Sequence, residues 1–466
     1  MEAAATPQAD AQATPQLGLF RLTWPIFLEI LLFMLMGTSD TLMLSGVSDD
    51  AVSAVGVVNH YVFICILSTS VVGSGASIVV AQYLGARRQQ EAARISALAL
   101  TLNLCLGITV SSGLLHLGDT LLVGMNLEGP VLAYAQTYLR LVGGFLFFQA
   151  LINVCSGLLR TYGFTRQSMF VSLGMNVLHV AANYALIFGH FGLPALGVEG
   201  AAISTVLSRA TALGVFLWML YRVMPVRMVL RDYVTFSKEY VWKILKVGIP
   251  SAVEQLTYQG CQAVFLYYIA LLGSAALASR QYANSISQYV FLCSLAIGMG
   301  TAIIVGRRVG ARRTEDAYRQ ALESVKWGLA ITVVMDVAAI LFRERLIGLF
   351  TDNGDILQVT AQLIVLGLLL ETGRSVNLVL VNALRAAGDA TFTVYMGVLS
   401  MACMSVPLGY FLVFKLNLGL PGVWLAVSAD EWLRAVIMWW RWKSRAWERH
   451  SLVEPEAQPA EVALGG

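Results

Sequence analysis

The chain has 466 residues, of which 57% are hydrophobic and only 13% are charged, and its formal net charge is +3. Soluble globular proteins carry about 25% charged residues, so this composition excludes a typical water-soluble protein and favours one embedded in a lipid bilayer. A surplus of three positive charges does not indicate a nucleic-acid partner, and the informative property is where the cations fall along the chain.

Residues 1–18 are polar, rich in Ala, Pro and Gln, and lack the basic start and small-residue cleavage site of a signal peptide, which predicts a disordered tail. Apolar stretches between turn and charge signals then predict twelve membrane-spanning helices, since about 20 apolar residues cross the hydrocarbon layer. In chain order the predicted spans are 19–45, 52–81, 93–115, 131–158, 167–189, 198–221, 243–271, 276–305, 321–342, 356–381, 392–414 and 421–443.

Lysine and arginine residues concentrate in alternate connections between these spans. The main basic runs lie at 87–94, 160–166, 222–246, 307–319 and 441–449, whereas the opposite connections hold mostly acidic residues. Basic connections of membrane proteins face the cytoplasm. We therefore predict that both termini are cytoplasmic.

The two halves of the chain repeat each other at a constant offset of 225 residues. The matched positions include Pro25 with Pro250, Glu29 with Glu254, and the Gly-Ala-Arg-Arg sequences that begin at Gly85 and Gly310. Each unit contains six spans, an even number, so the two copies enter and leave on the same side, as in parallel-repeat transporters. This pattern predicts a transporter with its solute cavity between two equivalent lobes.

The repeat and the spans together predict an all-α integral membrane protein with two pseudo-symmetric six-helix lobes. The N-lobe covers residues 19–222 and the C-lobe covers residues 242–445. A cytoplasmic linker over 223–241 joins them, and a cytoplasmic tail follows over 446–466.

Acidic residues inside spans are candidates for binding a coupling ion, because a charge at a helix centre costs about 2.5–3.5 kcal/mol. Glu29 and Asp40 lie 11 residues apart and share one face of the first span. Glu254 repeats Glu29 in the C-lobe, whereas Phe265 stands at the position equivalent to Asp40. We predict ion coupling at Asp40, Glu29 and Glu254. These residues do not distinguish H⁺ from Na⁺ as the coupling ion. They also allow a structural role, in which Glu29 braces a neighbouring span.

Two further polar groups are candidates for lining the cavity. Glu371, Arg374 and Asn377 recur every three residues in the tenth span, and His179 and Asn183 lie one turn apart in the fifth. The structural alternatives are a self-neutralised Glu371–Arg374 pair and a hydrogen-bonded core histidine. The sequence offers no metal site beyond a possible Na⁺ at Asp40.

Several segments resemble the multidrug and toxic compound extrusion (MATE) family. The stretch TWPIFLEILLFMLMGTSDTLMLSGVSDDAVSAVG is similar to that family's first span, GIPSAVEQ to its seventh, and NYALIFG followed by LGVEGAAIST to its fifth-to-sixth connection. The resemblance implies a V-shaped pair of lobes in a bacterial inner membrane, and we expect a monomer without a cofactor. It also implies alternating access and export of organic cations or amphipathic compounds in exchange for Na⁺ or H⁺.

The resemblance also assigns roles to single residues. Asp40 stands where the family's first-span acid binds the coupling ion, and Asn183 stands where one branch has a second acid. Other members place a coupling Glu deeper in the seventh span and an Asp in the tenth. Here Glu254 lies four residues after Pro250, and the tenth span carries Glu371 and Arg374.

Three other classes of protein are alternatives to this interpretation. A major-facilitator carrier normally has an Asp before the Arg of its basic loop, and YLGARRQQ has none. A flippase for lipid-linked anions would need cavity arginines, for which Arg140, Arg280 and Arg374 are candidates. An enzyme is not predicted, since the sequence has no paired-histidine zinc motif, no Gly-x-Ser-x-Gly and no phosphate-binding loop.

Overall fold

The computed structural model describes residues 18–125, 127–223 and 228–453. In these ranges twelve long helices follow the predicted spans closely, and we label them α1 to α12 in chain order. They are Leu19–Ser45, Asp49–Gly85, Gln89–Gly124, Gly129–Gly143 with Leu146–Thr161, Thr165–Phe188, Val198–Val223, Lys238–Ala270, Ser274–Gly310, Thr314–Leu341, Gly354–Ala386, Ala390–Lys415 and Leu420–Lys443. Three short helices lie outside this set, at Leu230–Val234, Arg343–Gly348 and Ala446–His450.

Ten of the twelve are long and apolar enough to cross a bilayer by themselves, if the two bent parts of α4 are taken as one span. The other two, α7 and α12, have 33 and 24 residues, so their length is also sufficient. Their sequences carry more charge, including Lys243 and Glu254 in α7 and Asp430, Glu431 and Arg434 in α12. The three residues of α12 are buried in the bundle, whereas Lys243 and Glu254 of α7 are partly buried and form ion pairs.

Two helices contain irregular turns. The two parts of α4 meet at an angle of 45° after a π-helical turn at Leu139–Gly143. In α11, π-helical turns at Met401–Ser405 and Phe411–Lys415 flank Pro407. The backbone nitrogen of this proline carries no hydrogen and so cannot donate a hydrogen bond. The repeated prolines Pro25 and Pro250 lie inside α1 and α7, where each removes one donor from its helix.

The two lobes meet along α2, which packs against α7 and α8, while α1 packs against α8. Glycines allow this contact to be backbone to backbone. A Cβ atom on Gly85 would lie 1.9 Å from the carbonyl oxygen of Arg307, and one on Gly310 would lie 1.9 Å from that of Gln82. The repeated Gly85 and Gly310 are thus equivalent points at which the ends of α2 and α8 touch. Two apolar clusters flank this contact: one consists mainly of N-lobe residues but includes Ile244 and Val247 of α7, and the other lies in the C-lobe.

A methyl group at this contact is expected to destabilise the protein. In the Gly310→Ala variant the new methyl collides with the Gln82 carbonyl, and overpacking of this kind costs about 1–3 kcal/mol. The matched control is Gly214→Ala in α6, because a Cβ there meets nothing within 4 Å. Thermal unfolding in detergent should show a lower midpoint for Gly310→Ala and an unchanged or higher one for Gly214→Ala. Equal midpoints would contradict the close contact.

The structure describes only part of the linker and of the two tails. Within the predicted linker 223–241, residues 224–227 lie outside the described residues. The backbone carbonyl of Tyr233 accepts a hydrogen bond from the Thr101 hydroxyl at 2.9 Å. Helix α7 already begins at Lys238, inside the predicted linker. Residues 1–17 of the predicted N-terminal tail and residues 454–466 of the predicted C-terminal tail also lie outside the described residues. The described part of the C-terminal tail packs on the bundle, since Trp447 is fully buried and donates a hydrogen bond to the carbonyl of Trp442 at 3.0 Å.

Candidate functional site

Asp40 lies in a buried polar cluster in the N-lobe. Helix α1 packs against α5, and Asp40 is only 4% exposed. Its Oδ1 atom accepts a hydrogen bond from Asn183 at 2.7 Å and lies 2.7 Å from Nε2 of His179. Both partners are fully buried and face Asp40 because they are one turn apart on α5. The fold therefore brings three of the sequence-predicted residues into direct contact.

The contact between Asp40 and His179 requires a proton. Two atoms with lone pairs do not approach to 2.7 Å unless one of them carries hydrogen, and this proton can lie on the imidazole or on the carboxyl. On the far side of the ring, Nδ1 lies 3.4 Å from the hydroxyls of Ser204 and Ser208. The imidazole is thus held between a carboxylate and α6, in an arrangement that can pass a proton.

A buried cation accompanies this cluster. Arg209 on α6 is 8% exposed and lies within electrostatic reach of Asp40 and of the Tyr138 hydroxyl. Its Nε and Nη1 atoms have no hydrogen-bond partner among the described residues. The positive charge of Arg209 therefore lies in the same buried cluster as the carboxyl of Asp40.

Glu29 and Glu254 are both paired with arginines in equivalent positions. Arg160 Nη1 lies 3.5 Å from Glu29 Oε2, and Arg385 forms the corresponding ion pair with Glu254. Arg160 and Arg385 are themselves 225 residues apart, so the same pair joins the first and fourth helices of each lobe. Glu29 also accepts hydrogen bonds from Ser156 at 2.7 Å and Ser168 at 2.9 Å. These contacts are those of a structural brace.

Arg160, the partner of Glu29, borders a cavity of about 270 Å³ between the lobes. Asn153 and Arg160 of α4 and Asn382 of α10 supply polar groups to its walls, and helices α2 and α8 complete them. The polar residues of the fourth helix in each lobe therefore face the interface between the lobes.

The C-lobe contains an ion-pair network between α10 and α12. Arg374 Nη1 donates a hydrogen bond to Glu371 at 2.7 Å, and its Nε lies 3.5 Å from Glu431. Asn377 donates to the second oxygen of Glu431 at 2.9 Å. Arg434 Nη2 lies 2.9 Å from both Asp430 and Glu431. Arg374 and Asn377 thus share Glu431 of α12 as a partner, and Glu371 joins the network through Arg374.

Asp336 on α9 adds an acid that the network does not pair. It is 4% exposed, its Oδ2 atom has no hydrogen-bond partner among the described residues, and its charged neighbours are Glu371 and Arg374. The buried group then holds four carboxylates, those of Asp336, Glu371, Asp430 and Glu431, against two guanidinium groups. An excess of negative charge in a buried site favours uptake of a cation or a proton.

The sequence analysis did not select Asp336, Asp430 or Glu431. The sequence does mark these three acids, because each interrupts an apolar run, as in AITVVMDVAAIL and LAVSADEWL.

The other embedded arginines differ in whether they have an acidic partner. Arg140 pairs with Asp119 at 2.7 Å, whereas Arg280 has no carboxylate oxygen within 4.0 Å in the described part of the chain.

Two repeated six-helix units with buried ionisable residues between their helices are the architecture of a membrane transporter. The MatE family model matches residues 25–185 and 250–411, two segments whose starts are 225 residues apart, as in the internal repeat. The chain therefore belongs to the MATE family of membrane transporters.

Known proteins support this membership across the chain. It is 40% identical to the "uncharacterized transporter YisQ" of Bacillus subtilis over 430 residues, covering 92% of this chain and 94% of that protein. The "probable multidrug resistance protein NorM" of Thermotoga maritima is 26% identical over 447 residues, covering 94% of each. A solved MATE structure in the bent conformation has a TM-score of 0.85 at 24% identity and covers 95% of this chain and 98% of that one. The predicted all-α fold with twelve helices in two lobes is confirmed.

Proposed function

We propose that this protein is a secondary active antiporter that exports cationic or amphipathic organic compounds in exchange for protons. The observation that carries the proposal is the buried contact of 2.7 Å between Asp40 and His179. We further propose that it works in a bacterial cytoplasmic membrane with both termini inside. The name of the Thermotoga maritima relative, a probable multidrug resistance protein, supports a drug-like cargo.

The charges of the C-lobe support a positively charged cargo. Four buried carboxylates face two arginines there, and Arg374 already contacts two of the acids. Arg140, another candidate for binding an anion, is paired with Asp119. A cation near this group gains electrostatic attraction, whereas an anion would meet repulsion. An anionic, lipid-linked cargo is accordingly disfavoured.

The surroundings of Asp40 support H⁺ as the coupling ion. The two side chains that contact its Oδ1 atom do so through nitrogen, from His179 and Asn183. Hard metal cations prefer shells of oxygen ligands, whereas imidazole is the side chain that exchanges protons near neutral pH. A proton can reach this carboxyl through His179, and Na⁺ would first have to displace the two nitrogen atoms that contact Oδ1.

Coupling follows if proton and cargo stabilise different states. Protonation neutralises Asp40 and weakens its attraction for a cation. The local change in charge then favours a different packing of α1, which contains Pro25, against α5. Exchange results because the proton binds one state more tightly and the cargo binds the other state more tightly.

The coupling ion is tested in vesicles that contain the purified protein. A cationic dye is loaded, and a pH gradient or a Na⁺ gradient is imposed separately at equal ionic strength. We expect export with an inward proton gradient and only background leak with an inward Na⁺ gradient. Export driven by Na⁺ alone would contradict the assignment of H⁺, and export without any ion gradient would contradict antiport.

A further inference from the structure

Six arginines line one cavity where the two lobes meet, and the proposed transport cycle uses none of them. The cavity measures about 1000 Å³ and lies between the ends of α2 and α8, the first turns of α9, and the C-terminal residues Ser451 and Val453. The arginines are Arg87, Arg88, Arg307, Arg308, Arg312 and Arg313. Both lobes contribute, because the first two follow α2 and the other four belong to the end of α8 and the turn after it.

The positive charge of this cavity is only partly compensated. Asp316 and Glu323 are its acidic lining residues, which leaves a surplus of four positive charges. Arg88 is paired with Glu91, whereas Arg307 and Arg308 donate to the backbone carbonyls of Thr161 at 2.6 Å and Asp316 at 2.7 Å. The arginines without a carboxylate oxygen within 4.0 Å, among the residues the structure describes, include Arg87, Arg312 and Arg313.

Two of these arginines occupy an unfavourable backbone conformation. Arg87 has φ = 62° and Arg312 has φ = 58°, in the left-handed region that favours glycine. The equivalent turns after α4 and α10 place Gly163 and Gly388 at φ = 96° and 97°. Glycine would therefore be the less strained residue at positions 87 and 312. Strained residues concentrate at functional sites, which indicates a use for both side chains.

We propose that this cavity binds a phosphate group and that the bound phosphate joins the two lobes on this side of the protein. Guanidinium groups present a fork of N–H donors that matches phosphate oxygens, and they stay charged at all physiological pH values. Arg87 belongs to the N-lobe, and Arg312 and Arg313 belong to the C-lobe. A phosphate between them stabilises the contact at Gly85 and Gly310.

The phosphate has two possible sources, an anionic phospholipid headgroup or a soluble phosphoester. Purified protein is titrated in detergent with inorganic phosphate, with potassium chloride at equal ionic strength as reference, while its thermal unfolding is followed. In parallel, the protein is placed in nanodiscs of phosphatidylcholine with or without phosphatidylglycerol. Stabilisation by inorganic phosphate indicates a site open to soluble phosphoesters. Stabilisation by phosphatidylglycerol alone indicates the lipid headgroup.

Two double variants separate ligand binding from general stability. Arg87→Gly with Arg312→Gly relieves the backbone strain, so this variant should unfold at a temperature no lower than wild type yet lose the response to phosphate, with affinity reduced at least tenfold. Arg343→Gln with Arg345→Gln removes the same charge from the short helix Arg343–Gly348 and should respond as wild type does. A wild type stabilised by neither phosphate nor phosphatidylglycerol would overturn the proposal. So would an unchanged response in the Arg87 and Arg312 variant.

Discussion

Cells that express the Asp40→Asn variant are expected to lose resistance to cationic dyes while keeping the protein in the membrane. Asparagine has nearly the same shape as aspartate and can still contact His179 and Asn183, but it cannot bind and release a proton. Since the carboxyl is only 4% exposed and its oxygen already accepts a hydrogen bond from an amide, the substitution should leave the fold intact. Dye accumulation and the amount of membrane protein are measured in the same cells.

The matched control is Asp50→Asn in the first turn of α2, where the carboxylate is exposed. This variant removes the same charge a few residues further along the chain and should keep wild-type efflux. Full efflux by the Asp40→Asn protein would remove Asp40 from the mechanism. Loss of efflux in both variants would show that the effect is not specific to the buried carboxyl.

Removing Arg374 is expected to have the largest effect on stability. The Arg374→Gln variant leaves Glu371 and Glu431 without the guanidinium that contacts both, and both acids are almost fully buried. Breaking a buried pair by deleting one partner costs about 3–5 kcal/mol. The thermal unfolding midpoint in detergent should fall sharply, together with the yield of folded protein.

A second variant distinguishes lost charge balance from lost packing. In Glu371→Gln with Arg374→Gln the negative charge is removed along with the positive one, so most of the stability should return. If the double variant is as unstable as Arg374→Gln alone, packing of the long side chain accounts for the loss. An unchanged midpoint in Arg374→Gln would contradict the buried network.

The helices and the repeat could be predicted because their signals are local. Apolar runs fix the spans, and the observed helices extend them by a few residues into flanking polar positions, as at Lys238 and Thr314. The pairing of Glu371 with Arg374 follows from their spacing of three residues on one helix. The π-helical turns of α4 and α11 could not be predicted, since they depend on packing between helices.

Contacts between distant spans needed the fold. Asp40 and His179 are 139 residues apart, and the sequence does not show that α1 and α5 are neighbours. Glu29 and Arg160 likewise belong to different spans, so the sequence left open whether Glu29 binds an ion or braces a helix. Asp336 lies alone in an apolar run, and its relation to Glu371 appears only when α9 packs against α10.

The central claim is that cargo and proton compete through Asp40, and proton release on cargo binding tests it most directly. Purified protein in weakly buffered detergent solution is mixed with ethidium, a cationic dye, while a pH indicator records protons released. Wild type should acidify the solution as the dye saturates it, and Asp40→Asn should bind the dye without releasing protons. Dye binding by wild type without proton release, or equal release by the variant, would contradict the account.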